Sequence, residues 1–252
     1  MNAVRFEWVK LRSLRSSWLT VAATVLSAAA LGVLGISDVL GSSPAELPAD
    51  WDPTAVGFKG FLFAQLLIGM LGALTIAPEY ASGVIAGSLV VVPSRTRLLA
   101  AKAVVVGCVA AATALATTLV SFGVVQALLA ADGLPAASLG DPGVLRALAG
   151  GTFYLTAVGL GGLAVGVVAR SATTSLAALV GALLLFPALA PGIVGESLAP
   201  YWPVTAAQSA YATVQVAGTA TATVGVLLLT WQVVGLSLAG YIAFRRRDVH
   251  EA

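Results

Sequence analysis

Thr113, Thr117 and Ser121 recur every fourth residue in an otherwise apolar stretch, so they share one face of a helix. Hydroxyls in that pattern can bond a neighbouring helix, bond their own backbone carbonyls, or line a path for a solute. Together with Gln65 they form the candidate substrate path, and Gln232 is a further amide in an apolar stretch. None of these groups is an acid or base near neutrality, and the groups that are lie elsewhere. The single histidine, His250, sits on the C-terminal tail and reads as a solvated side chain. Cys108 is the one cysteine and reads as a small packing residue, which leaves no disulfide or Cys-based metal site. No His, Asp or Glu falls in the middle of an apolar stretch, which argues against a Ser–His intramembrane protease, an H-E-x-x-H metalloprotease or a proton antiporter. No Gly-Lys dipeptide occurs, so there is no phosphate-binding P-loop. The expectation is a chain with no catalytic, cofactor or metal residues, and any ATP that drives it is bound by another polypeptide.

Two polar segments carry more information. Over Ala3–Ser17, Val4, Trp8, Leu11 and Trp18 follow helical spacing while Arg5, Arg12, Arg15 and Ser16 occupy other faces. A basic amphipathic helix with Trp at its apolar boundary lies in the headgroup plane of a bilayer. The second segment runs from Pro78 to Lys102. Its middle is too apolar for a free loop and is bracketed by Pro78 and Pro93, so Glu79–Val92 is expected to form a short separate helix. Gly83 and Gly87 would let another surface approach it closely, and Glu79 would sit in its first turn, where an anion complements the helix dipole.

The elements that must hold these segments are long apolar blocks. They run at about 18–40, 60–77, 103–131, 147–169, 173–194 and 224–244. A hydrocarbon core of ~30 Å takes ~20 residues of helix, so the reading is an all-α membrane protein with six spans in one domain, residues 1–252. Hydrophobic residues are 59% and charged residues 10% of the chain, against about 25% charged in soluble domains. A signal-like start followed by Ala28-x-Ala30 is read as a retained span, because the apolar run continues to Leu40. Gly162-x-x-x-Gly166 and the abundant Gly and Ala predict close helix packing.

Charge then sorts the gaps. Arg5, Lys10, Arg12, Arg15, Arg95, Arg97, Lys102, Arg170, Arg245, Arg246 and Arg247 fall on one side, and only Lys59 and Arg146 on the other. Eleven cations and four acids give +7 on the first side; two cations and seven acids give −5 on the second. The positive-inside rule places both termini in the cytoplasm. The slight net positive charge therefore says nothing of nucleic acid.

Glu79, Gly83, Pro93, Arg95 and Lys102, in the arrangement E-x3-G-x9-P-x-R-x6-K, resemble the segment after the second span in permeases of type-2 ATP-binding-cassette exporters. The opening Glu7-x-x-Lys10-Leu11-Arg12-Ser13, then Arg15-x-x-Trp18, is similar to the starts of such permeases in high-GC Gram-positive bacteria. This resemblance covers the whole chain in span number and loop sizes. It implies a connecting interfacial helix bearing Arg5, Glu7, Trp8, Lys10, Leu11, Arg12 and Arg15. It also implies a coupling helix at about 79–94, with Glu79, Tyr80, Gly83, Ile85, Gly87, Pro93 and Arg95, that docks on a separate ATPase subunit holding ATP and Mg. Substituting Glu79 or placing a charge at Ile85 is then expected to uncouple that ATPase. A second permease copy or a related permease completes the assembly, in a bacterial plasma membrane. The segment at about 204–216 would be a short helix re-entering the outer leaflet, or else an ordinary external loop. Export of a lipophilic or amphipathic antibiotic, peptide or lipid is the expected function; a non-transporting immunity or sensor protein is the alternative.

Overall fold

The computed structural model describes residues 3–48, 51–215 and 218–246. His250 and Arg247 lie outside the described residues, as do Asp50 and Val216. The described residues contain helices and no strand. Helix α1 (Ala3–Ser13) ends where Leu14 turns extended, ψ 111°, and α2 (Arg15–Leu34) begins immediately after. Arg15 therefore opens the first span and does not belong to α1. A short helix α3 (Pro53–Val56) precedes α4 (Phe61–Leu74), and α5 (Ala77–Ala81) continues the apolar run of α4. Then come α6 (Val84–Val91), α7 (Arg95–Ala131), α8 (Val144–Ala169) and α9 (Ala172–Val180). A π-helical turn at Gly181–Leu185 joins α9 to α10 (Phe186–Val194). Last are α11 (Pro203–Gln208) and α12 (Ala222–Arg246).

Six helical runs are long and apolar enough to cross a bilayer: Arg15–Leu34, Phe61–Ala81, Arg95–Ala131, Val144–Ala169, Ala172–Val194 and Ala222–Arg245. Among the described residues they correspond one to one with the six apolar blocks of the sequence, but the first span stops at Leu34 and not at Leu40, because the chain turns from Gly35 onward. Helix α7 exceeds its block at the N-terminal side. Ser94 caps it by accepting from the Arg97 N–H, so the helix begins eight residues before the apolar stretch does. At 1.5 Å per residue it is about 55 Å long, well beyond a ~30 Å core.

Helices α4 and α8 form the centre, with α2 and α7 on one side and α12 on another. Small residues set the spacing. A methyl group at Gly162 would overlap the Gly69 carbonyl, and one at Gly72 would overlap that of Gly159. The Gly162-x-x-x-Gly166 pattern is thus a seam inside one chain, between α8 and α4. Around it pack Phe58, Phe61, Ile68, Tyr154 and Leu155. Large apolar side chains on the outer spans face away from the bundle, among them Leu19, Leu26, Leu189 and Trp231.

The connections fall at two ends. The N-terminal end gathers α1, α5, α6, the start of α7, the α8–α9 turn and the end of α12. Arg95 donates to the Phe244 carbonyl at 2.9 Å, and Arg170 lies 4.8 Å over the Tyr80 ring. The far end gathers the remaining connections. There Asp132 accepts from the Gly41 N–H, Gln126 donates to the Pro53 carbonyl, and Arg146 donates to that of Ala212. This is the grouping of gaps that the charges marked in the sequence.

Candidate functional site

At the N-terminal end, four charged side chains from three elements meet. Lys102 of α7 lies 2.7 Å from Glu7 Oε2 of α1 and 2.5 Å from Glu79 Oε1 of α5. It also donates to the Thr75 carbonyl at 3.1 Å. Lys10 lies 2.5 Å from the same Glu79 oxygen and 3.6 Å from Glu7 Oε1, and donates to Ser88 of α6 at 3.1 Å. Two carboxylates balance two ammonium groups. Lys102, Glu7 and Glu79 are only 2%, 5% and 8% exposed. Charges so removed from water persist only when paired, and removing one partner leaves its neighbour stranded. The cluster therefore pins α1 and the α5–α6 segment to the base of the longest span.

This arrangement revises the expected faces. The buried stripe of α1 is Ala3, Glu7 and Leu11, with Leu11 packed on Leu71, Val105 and Val109, while Trp8 turns outward. A carboxylate occupies the inward stripe because Lys102 waits there. Arg5, Arg12 and Arg15 are exposed.

The segment expected as one helix is two. Gly83 adopts φ +71° and separates α5 from α6, so glycine is needed there for a left-handed turn. Apart from their chain neighbours and the helix's own backbone, no described atom comes within 4 Å of a methyl placed at Gly83 or Gly87. Pro78 lies within the first turn of α5 and does not precede a separate helix. Ile85 points inward, packed in a cluster with Ile76, Tyr80, Val92 and Leu98. The outward face of α6 is instead Val84, Val90 and Val91, with Val90 81% exposed. Pro93 is exposed beside it, and Arg95 caps the last carbonyls of α12.

The three hydroxyls of α7 are buried among the chain's own helices. Ser121 donates to the Gly57 carbonyl at 2.7 Å, Thr113 to that of Val109 at 2.8 Å, and the Thr117 hydroxyl has no hydrogen-bond partner. Gln65 departs from them. It accepts from the Tyr154 hydroxyl and lines a cavity of about 740 Å³ at the far end. Of the four residues assigned to a substrate path, Gln65 alone reaches this cavity. Cys108 is exposed on α7 and is not a packing residue.

Two residues gain importance that the sequence reading gave only a charge. Arg170 ends α8 in a left-handed conformation, φ 55°, and stacks on Tyr80. Asp52 caps α3 through the Thr54 and Ala55 N–H groups and reaches across to the Thr213 hydroxyl at 2.7 Å and the Val214 N–H at 2.8 Å. Burial pushes its carboxyl up, but the Val214, Ala55 and Thr213 donors outweigh burial and hold it below the usual carboxylate range. The Asp52-Pro53 pair, an N-cap followed by Pro at the first helical position, was the available signal.

Segment 203–211 is helical for part of the length expected, α11 and then a tight turn. Its Ala206 and Ala210 carbonyls lie where methyls at Gly225 and Gly150 would fall. It is thus wedged between α12 and α8.

Six helical runs able to cross a bilayer, tied at one end by a buried ionic cluster, describe a multi-pass membrane protein. No curated protein matches the chain. The family model described as ABC-2 family transporter protein matches residues 3–180. That match takes in α1 through α9, including the ionic cluster, and the chain belongs to the ABC-2 transporter family.

Proposed function

We propose that this chain is the permease subunit of an ATP-driven exporter and moves a lipophilic or amphipathic compound using a separate ATPase subunit. The observation that carries this reading is the Glu7–Lys10–Glu79–Lys102 cluster. It joins the exposed, apolar α6 to a span-length helix, which suits a segment that receives force from outside the bilayer. ATP and Mg²⁺ would be held by the partner, because no P-loop occurs in this sequence.

The cations concentrated at the N-terminal end favour its placement in the cytoplasm of a bacterial plasma membrane. α1 then lies in the headgroup plane, with Arg5, Arg12 and Arg15 toward lipid phosphates. Val84, Val90 and Val91 present the docking face of α6 to the ATPase. At the opposite end α11 re-enters the outer leaflet, its backbone covered by α8 and α12 as irregular backbone at that depth requires. Two copies, or this chain and a related permease, complete the transporter.

The test is purification of the tagged full-length chain from its native membranes in mild detergent. An ATPase subunit is expected to remain bound, at one per permease, and to hydrolyse ATP faster in the complex than alone. Transport by vesicles that contain this chain and no ATPase subunit would overturn the reading.

A further inference from the structure

The far-end cavity carries features that the permease reading does not use. Its apolar wall is Leu62 and the half-buried Tyr211, whose ring is held edge-on by the buried Phe58, Phe61 and Tyr154 at centroid distances of 5.4–5.7 Å. The Thr205 hydroxyl lines the wall with no hydrogen-bond partner. Lys59 and Arg146 both line the opening and are exposed. They are the only two cations among the far-end connections, where the sequence places seven acids. Yet neither takes part in an ion pair among the described residues. Lys59 donates to the Gly35 carbonyl and Arg146 to that of Ala212, both neutral groups. Asp52, the buried acid nearest in sequence to Lys59, is fully engaged by N–H and hydroxyl donors of α3 and residues 213–214.

Two cations outside any ion pair of the described residues therefore stand at the mouth of the cavity, and the acid closest to Arg146, Asp52 on the far side of the 212–213 peptide, is already taken up by its own donors. The cavity's volume falls within the ~300–1,000 Å³ of small-molecule sites. We infer that this cavity is a binding site for an amphipathic anion, whose charged head meets Lys59 and Arg146 while its apolar body lies on Leu62 and Tyr211. That the anion is transported cargo rests on the permease reading; that it binds does not.

The experiment uses the full-length chain in nanodiscs of neutral lipid, without any ATPase subunit. The probes are a dansyl-labelled fatty acid and a dansyl-labelled alkylamine of the same chain length, titrated by fluorescence. The fatty acid is expected to bind more tightly than the amine. Its affinity should fall at least about fivefold in the double variant K59Q/R146Q, whereas R97Q at the opposite end should bind as the unaltered chain does. Raising salt should weaken the fatty acid and leave the amine little changed. Equal affinity for the two probes, or an equal loss in R97Q and the double variant, would overturn the site. Leu62→Ala provides a second arm: it should weaken both probes, and unchanged affinity would remove the apolar wall from the site. Because no nucleotide is present, failure here leaves ATPase copurification untouched, and failure of copurification leaves these titrations valid.

Discussion

The Lys102 ammonium group bridges Glu7 and Glu79, residues 72 positions apart in the chain, at 2.7 and 2.5 Å. Removing it leaves two buried carboxylates with a single ammonium group, Lys10, between them. Lys102→Met should lower stability by about 3–5 kcal/mol, seen as a drop in the thermal midpoint of the detergent-solubilised protein. Adding Glu7→Gln to that variant should recover part of the loss. A K102M protein as stable as the parent would show that the cluster does not tie the elements together.

If α6 is the docking helix proposed above, substitutions on it should separate coupling from folding. Val90→Glu changes the most exposed side chain of the helix and should leave insertion and thermal stability unaltered while abolishing ATPase-driven transport. Ile85→Glu buries a charge beside Leu98 and Tyr80 and should instead destabilise the chain. The measurement is transport per inserted molecule beside a melting curve for each variant. Normal transport by V90E would remove this face from the docking surface.

Glycine substitutions should divide in the same way. Gly162→Ala meets the Gly69 backbone and should cost about 1–3 kcal/mol, because neither helix can move without repacking α4 on α8. Gly87→Ala meets nothing within 4 Å and should be neutral for stability. Gly83→Ala meets no atom either, but its φ of +71° disfavours any side chain, at about 1 kcal/mol.

Asp52 gives the fold a pH dependence. Its folded-state carboxyl titrates below the usual 3.8, so it binds fewer protons than in the unfolded chain. The stability it supplies is complete above that value and is lost as pH falls through the folded pKa. Asp52→Asn should lower the melting temperature near pH 6 and converge with the parent at strongly acid pH. A constant difference across that range would assign the effect to packing instead of charge.

The spans and their grouping at two ends were legible because burial in lipid demands long apolar runs, and because cations were placed by side. The finer contacts were not. Glu7 falls among Arg and Lys on a helix whose obvious apolar face included Trp8, and only the distant Lys102 makes it the inward residue. Ile85 and Val90 are alike in composition, and which one faces outward depends on the turn at Gly83. The i, i+4, i+8 hydroxyls of α7 marked one face correctly, but periodicity cannot say whether that face meets solute or another helix. Here it meets α2 and the Gly57 carbonyl.

Helix α7 runs without a break from Arg95 to Ala131. Near one tip it is clamped by Glu7 and Glu79; near the other, Gln126 grips the Pro53 carbonyl at 2.6 Å and the Ala137 N–H at 2.8 Å. With no break in its hydrogen-bonded ladder, the helix links the two grips directly, so a tilt of its base would be felt at the loops beside Asp52 through Gln126.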